Sequence, residues 1–232
     1  MEFDFIRGEL LLIDKAIDWT SFDAVNKVRR LISRQLGKKL KVGHAGTLDP
    51  KATGLLLICT GAMTKRINEL VGLDKEYTGT LLLGATTPSF DSETEINQKF
   101  EISHLTSEII HAATEKFIGT IEQVPPQFSA KLVDGKRAYL SARKNKEVKI
   151  EPVTITIKEF EITRIDMPEV SFRVVCSKGT YIRSLSRDFG EALNSGAYLT
   201  SLRRIRIGQY SVRDALTLAQ FEVLLPSTAR IN

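Results

Sequence analysis

Gly43-His44-Ala45-Gly46-Thr47-Leu48-Asp49-Pro50-Lys51-Ala52-Thr53-Gly54 runs directly into Leu55-Leu56-Leu57-Ile58-Cys59. Three glycines, one proline and one carboxylate share twelve residues, and an unbroken apolar run follows. Glycine accepts positive φ and close approach of other groups, and proline fixes its own φ. A loop of this make-up, set between Val42 and a buried strand, holds Asp49 in a defined place. An ordinary turn is the plain alternative, because Gly, Pro and Asp are the commonest turn residues.

Working outward, Glu9–Ile13 reads as a strand. Thr20 with Asp23 three residues on forms a capping box. Behind it Phe22, Val25, Val28, Ile32 and Leu36 recur at helical spacing up to Gly37, a natural terminator. After the strand at Leu55–Cys59 the pattern predicts a helix over Gly61–Val71 and an alternating strand over Lys75–Gly84. A helix at Thr106–Phe117 follows. Thr154–Arg164 and Glu169–Cys176 read as paired strands about a turn at Met167-Pro168. A helix over Thr180–Leu193 with Thr180 as N-cap, a strand over Leu199–Ile207 and a short helix over Thr217–Leu224 complete the chain. Pro125-Pro126 opens a basic, irregular segment to Lys149, with one short helix near Ala138–Arg143. Helices and long alternating strands mix without a βαβ rhythm. The expectation is therefore an α+β fold with a mixed, largely antiparallel sheet and flanking helices, in one domain spanning 1–232.

Length and charge bound the rest. A chain of 232 residues, 42% hydrophobic and 26% charged, suits an ordinary globular protein with one sizeable core. No stretch reaches the roughly 18 apolar residues of a membrane helix, and the acidic start is no secretory signal. Cys59 and Cys176 sit in apolar runs and read as buried free thiols of a reducing compartment, so the chain is expected to be cytoplasmic. The net charge of +5 and pI of about 9.2 matter because the cations cluster. Arg29-Arg30, Lys38-Lys39-Lys41, Lys136-Arg137, Arg143-Lys144 and Arg203-Arg204-Arg206 are local patches suited to phosphate. There is no phosphate-binding GxxxxGK[ST] loop, no GxGxxG after a strand, and no His/Cys spacing for zinc. The chemistry falls to side chains.

Four segments resemble the TruB family of tRNA pseudouridine synthases, in the family's order. They are Leu11-Leu12-Ile13-Asp14-Lys15 leading to Thr20-Ser21; the loop quoted above; Asp74-Lys75-Glu76-Tyr77; and Cys176 to Leu185, followed by Leu199-Thr200-Ser201-Leu202-Arg203-Arg204. The chain departs from the family pattern at Ala16 and Asp18, where proline and glycine are usual, and at Lys51, where an apolar residue is usual. The resemblance implies the pseudouridine synthase catalytic fold with a cleft across its sheet, and Asp49 as the catalytic aspartate. It also places Tyr77 at the active-site tyrosine.

Isomerising uridine breaks a glycosidic bond, turns the base and rejoins it through carbon. Nothing is consumed, so no cofactor is expected. An ionised carboxylate can act as nucleophile or electrostatic stabiliser, and a guanidinium keeps it charged when shielded from water. These roles fall to Asp49 and Arg183. Tyr77 offers a flat face for uracil and a phenol for proton transfer. The resemblance further implies substrate binding by His44, Tyr181, Leu202 and Lys15. The tRNA T-loop, at position 55, is the implied substrate.

A base inside folded RNA must be swung out before an aspartate can reach it. Phe128, Lys131, Lys136, Arg137, Tyr139, Arg143 and Lys144 interleave aromatics with cations, a mix that grips nucleic acid. By resemblance, the segment at about 125–150 closes over RNA like a thumb. Bacterial members usually continue into a PUA-type RNA-binding module. This sequence stops at Asn232, and the expectation is a short form, monomeric, without a membrane or obligate protein partner. The rival reading is a non-catalytic RNA-binding protein or tRNA-folding chaperone on the same scaffold.

Overall fold

The computed structural model describes residues 3–129, 132–133, 136–137 and 148–225, the two short pieces by their backbone alone. In chain order the elements are β1 (Leu10–Lys15), α1 (Ser21–Leu36), β2 (Val42–His44), β3 (Ala52–Thr60), a 3-10 turn (Gly61–Arg66) and α2 (Ile67–Gly72). Next come β4 (Lys75–Leu83), β5 (Ala85–Thr86), β6 (Gln98–Lys99), α3 (Ser107–Glu115) and β7 (Gly119–Gln123). Then follow β8 (Leu132–Val133), β9 (Lys136–Arg137), β10 (Val153–Asp166), β11 (Glu169–Cys176) and α4 (Ile182–Ala192). The last are β12 (Ala197–Ile207), β13 (Tyr210–Ser211), a 3-10 turn (Val212–Asp214) and α5 (Leu218–Leu224). Contacts gather into two compact units, Met1–Lys75 with Arg203–Asn232, and Glu76–Leu202.

The first unit is organised by β3. It pairs antiparallel with β1, Leu12 opposite Leu57, and with β2, Gly43 opposite Cys59. Leu56 and Ile58 point to one face and join Val25, Val28 and Ile32 of α1 with Phe221 of α5. Leu55, Leu57 and Cys59 point to the other and join Leu70 and Ile207. A strand covered on both faces needs a continuous apolar run, which is why this stretch does not alternate. Each such side chain contributes about 1.5–3 kcal/mol by leaving water. The capping box forms as expected: Asp23 N–H donates to Thr20 Oγ1 at 3.0 Å, and Thr20 N–H donates to Asp23 Oδ2 at 3.1 Å. The stripe of α1 differs from the expectation at one place. Phe22 is 63% exposed, and the neighbouring Ser21 and Ala24 turn inward instead. Helix periodicity admits either set, and the bond between Ser21 and Leu48 selects this one.

In the second unit β10 and β11 form the expected antiparallel hairpin, Phe160 opposite Val174, and β10 also pairs with β7, Ile155 opposite Ile121. Phe117, Phe160, Phe172 and Phe189 meet at centroid distances of 5.3–6.1 Å, mostly edge to face, beneath α3 and α4. Such pairs add about 0.5–1.5 kcal/mol beyond burial. Two sequence expectations are corrected here and in the first unit. Gly61–Val71 is a 3-10 turn followed by a short α-helix, not one helix. Thr180 is not the N-cap of α4: its hydroxyl donates to Ser177 O at 3.0 Å in the preceding turn, so the cap moves to Tyr181, without a side-chain bond. The helix expected at 138–143 lies outside the described residues, as do Lys131, Tyr139, Arg143 and Lys144. β8 and β9 pair antiparallel, and at the root of this segment the Gln127 amide donates to Val148 O at 2.8 Å and accepts from Val148 N–H at 3.2 Å.

Candidate active site

Asp49, His44 and Lys15 belong to the first unit; Tyr77, Tyr181, Arg183 and Leu202 belong to the second. The half-buried Asp49 sits in a loop whose backbone is held at nearly every residue. Ala45 N–H donates to Leu57 O at 2.9 Å. Gly46 O and Thr47 O accept from the Arg204 guanidinium at 3.2 and 3.3 Å. The buried Ser21 hydroxyl exchanges bonds with both Leu48 N–H and Leu48 O, at 2.8 and 3.0 Å. Asp49 O accepts from Ala52 N–H at 3.1 Å, and Pro50 O accepts from Asp18 N–H at 2.9 Å.

Lys15, at the end of β1, is fully buried. Its ammonium donates to Trp19 O at 2.6 Å, Ala16 O at 2.9 Å and Pro50 O at 3.5 Å. Burial pushes its pKa down to about 8; the Asp49 and Asp18 carboxylates resist that shift, and the Arg204 charge adds to it. Lys15 is therefore a tie between two loops, built into the first unit. The family departures at Asp18 and Lys51 explain each other. Asp18 lies at φ +64°, where glycine is at ease and aspartate is among the few side chains tolerated. Its carboxylate then accepts from Lys51 Nζ at 2.9 Å. Near the same loop, burial holds the His44 imidazole below its ordinary pKa, with the polar Gly46 backbone opposing and the Arg204 charge adding to the shift. Near neutral pH this histidine is a neutral ring.

In the second unit Tyr77 is 8% exposed on β4. Beside it Glu76 pairs with Arg173 of β11. Tyr181 is held by its backbone: the fully buried Gln123 accepts from Tyr181 N–H at 2.8 Å and donates to Tyr181 O at 3.1 Å. Arg183, 5% exposed, stands in the first turn of α4, as the sequence reading expects. It donates to Phe128 O at 2.8 Å and to Ser89 O at 3.3 Å, and its Nε lies 3.7 Å from Asp91 Oδ2. Leu202 is half-buried on β12, a strand that neighbours β4. Within this unit Arg183 thus gathers the loop at Ser89–Asp91 and the root of the basic segment at Phe128.

Three residues here escape the sequence reading: Asp91, Gln123 and Arg204. Asp91 looks like one more acid in a polar loop, yet it is 5% exposed and its carbonyl accepts from Thr87 and Ser89 hydroxyls at 2.7 and 3.2 Å. Gln123 looks like the polar end of a strand, and Arg204 like one member of a basic patch. The partners of their side chains, Arg183, Tyr181 and Leu55 respectively, lie far off in sequence, so no local spacing marks them.

The chain matches the family model described as TruB family pseudouridylate synthase, N-terminal domain, over residues 33–182. A second model, the tRNA pseudouridylate synthase B C-terminal domain, matches 183–228, so the boundary between the models falls inside α4. A protein named tRNA pseudouridine synthase B from Flavobacterium johnsoniae is 57% identical over 221 residues, covering 94% of this chain and 96% of that one. Another of the same name from Phocaeicola vulgatus is 56% identical, covering 94% and 93%. Among solved structures, a chain of a Cbf5-Nop10-Gar1 complex is 27% identical with a TM-score of 0.70 over 94% of this chain. This chain spans about half the length of that one, 54%. With both family models covering most of its length and whole-length relatives above half identity, the chain belongs to the TruB family of pseudouridylate synthases.

Proposed function

We propose that this chain converts a uridine of tRNA, position 55 of the T-loop, to pseudouridine. The carrying observation is the loop at Ala45–Pro50, whose backbone is bonded on both sides of Asp49, as a carboxylate meant for one reacting atom requires. The relatives' shared name supports tRNA as the substrate.

Asp49 supplies the carboxylate that acts at the uridine as the N1–C1′ bond breaks. The base turns, C5 joins C1′, the C5 hydrogen leaves as a proton and the freed N1 takes up a proton, so that reactant and product are isomers. Arg183 supplies the guanidinium of the reaction, and the Asp91 carboxylate stands 3.7 Å from its Nε. Tyr77 and Tyr181 offer faces to the base, while the neutral His44 contributes hydrogen bonding and shape. Leu202 walls the base, and Lys15 serves the substrate by holding the loop next to Asp49. The basic segment beyond Phe128 grips the RNA backbone, compensating the few kcal/mol lost when the uridine leaves its stack. The compartment is the cytoplasm; among the described residues no helix is long and apolar enough to cross a membrane.

A T-arm RNA carrying tritium at uridine C5 tests the reading. Stoichiometric release of tritium to water, absent when the T-loop uridine is replaced by cytidine, is expected. Binding without release would leave an RNA-binding protein in place of the enzyme.

A further inference from the structure

Arg204 is 1% exposed, the largest fully buried side chain among the described residues. Burying a guanidinium is costly unless every direction of its fork meets an acceptor. Here Nε donates to Leu55 O at 2.8 Å, Nη1 to Thr47 O at 3.3 Å and Nη2 to Gly46 O at 3.2 Å. All three acceptors are backbone carbonyls of one sequence segment, two in the loop before Asp49 and one in the strand after it.

The surrounding backbone packs closely against Arg204. Gly54, at φ +102°, touches the Arg204 backbone so closely that a Cβ there would stand 2.3 Å from Arg204 O. Gly46, at φ +98°, turns its carbonyl to the guanidinium, and a Cβ there would stand 3.8 Å from Nη1. Gly54 thus gives room to the Arg204 backbone, and Gly46 presents its carbonyl from a backbone conformation that favours glycine. Other pins of this loop include neutral backbone groups, the Ser21 hydroxyl and the Lys15 ammonium. Only the planar fork can bond two successive carbonyls of the loop and the strand beyond it at once; an ammonium is a point donor without that geometry.

We infer that Arg204 is a positioning residue for the isomerisation: its guanidinium clamps the Gly46 and Thr47 carbonyls to the Leu55 strand and thereby fixes where Asp49 stands. The inference rests on Asp49 being the reacting carboxylate. A clamp of this kind acts on the chemical step and leaves RNA docking to the outer surface. Misplacing a reacting group by about 1 Å is enough to lower a rate on the order of 10²-fold.

The test uses the full chain and a tritiated T-arm RNA, reading the single-turnover rate, the RNA dissociation constant and the thermal midpoint. Arg204→Lys keeps the charge and loses the fork. Gly46→Ala leaves Arg204 intact and disturbs one of its acceptors, so it keeps the test open if the first variant fails to fold. Asp49→Asn is run alongside. The expected result is a fall in rate of at least about 30-fold in each folded variant, with RNA affinity within about threefold of the parent. An inactive Asp49→Asn beside a folded Arg204→Lys or Gly46→Ala that turns over at the parent rate would overturn the clamp alone. So would a rate loss matched by an equal loss of affinity. Turnover retained in Asp49→Asn would overturn both the clamp and the reading of Asp49.

Discussion

Two segments that carry candidate site residues are fixed by the same device with opposite chemistry. At Gly46–Thr47 two carbonyls turn to a buried cation, Arg204, which donates to both. The segment at Tyr181 shows one N–H and one carbonyl, and a buried neutral amide, Gln123, matches both. In each case the holder comes from a strand and grips backbone, leaving the presented side chain outside the clamp. The difference is dictated by acceptor count. Three carbonyls at once suit a donor-only fork, which arginine supplies; a mixed pair suits glutamine or asparagine. The cationic clamp adds permanent charge beside Lys15 and His44, and both groups are held below their ordinary pKa values partly for that reason. Gln123 adds no charge beside Arg183.

The largest effect expected from challenging this comparison is at Arg183, the cation proposed to serve the reaction from the second segment. Arg183→Lys keeps the charge but cannot reach Phe128 O, Ser89 O and Asp91 together. Release of the C5 hydrogen is expected to fall on the order of 10²-fold, with tRNA still bound. A variant that loses binding and retains its chemical rate would reassign Arg183 to docking.

Next in size is the amide clamp itself. Gln123→Glu still accepts from Tyr181 N–H but cannot donate to Tyr181 O, and it buries a charge. The loss expected in denaturant unfolding is about 1–3 kcal/mol, with Gln123→Leu similar. Unchanged stability in both would show that Tyr181 is held by something other than Gln123.

An effect of similar size, confined to an alkaline window, separates the two regions by pH. The folded Lys15 has a pKa of about 8 against its ordinary 10.5, so between those values the folded chain binds fewer protons than the unfolded one. Stability is then expected to rise with pH from about 8 to 10.5, by about 1–3 kcal/mol relative to Lys15→Met, which has nothing to titrate. A flat difference across that window would place Lys15 outside the buried, charge-coupled loop.

Much of this arrangement is legible in the sequence, for reasons that are local. The capping box at Thr20 and Asp23, the doubly covered strand at Leu55–Cys59 and the hairpin about Met167-Pro168 each depend on neighbours a few residues apart. The density of glycine and proline around Asp49 likewise announces a fixed loop. The holders do not announce themselves. Arg204 reads as surface charge because its acceptors at Gly46 and Thr47 lie more than 150 residues away. Asp91 and Gln123 are silent for the same reason. Phe22 and Thr180 mislead because helical periodicity and capping preference each admit a neighbour, and a hydrogen bond chooses between them, tertiary from Ser21 to Leu48 and local from Thr180 to Ser177.

The central claim is that the pinned loop exists to present one carboxylate to one uridine. Asp49→Asn is nearly isosteric and disturbs neither Arg204 nor Ser21. Mixed with C5-tritiated T-arm RNA in enzyme excess, it is expected to bind the RNA as the parent does and to release no tritium above background. Release at a rate near the parent's would contradict the account.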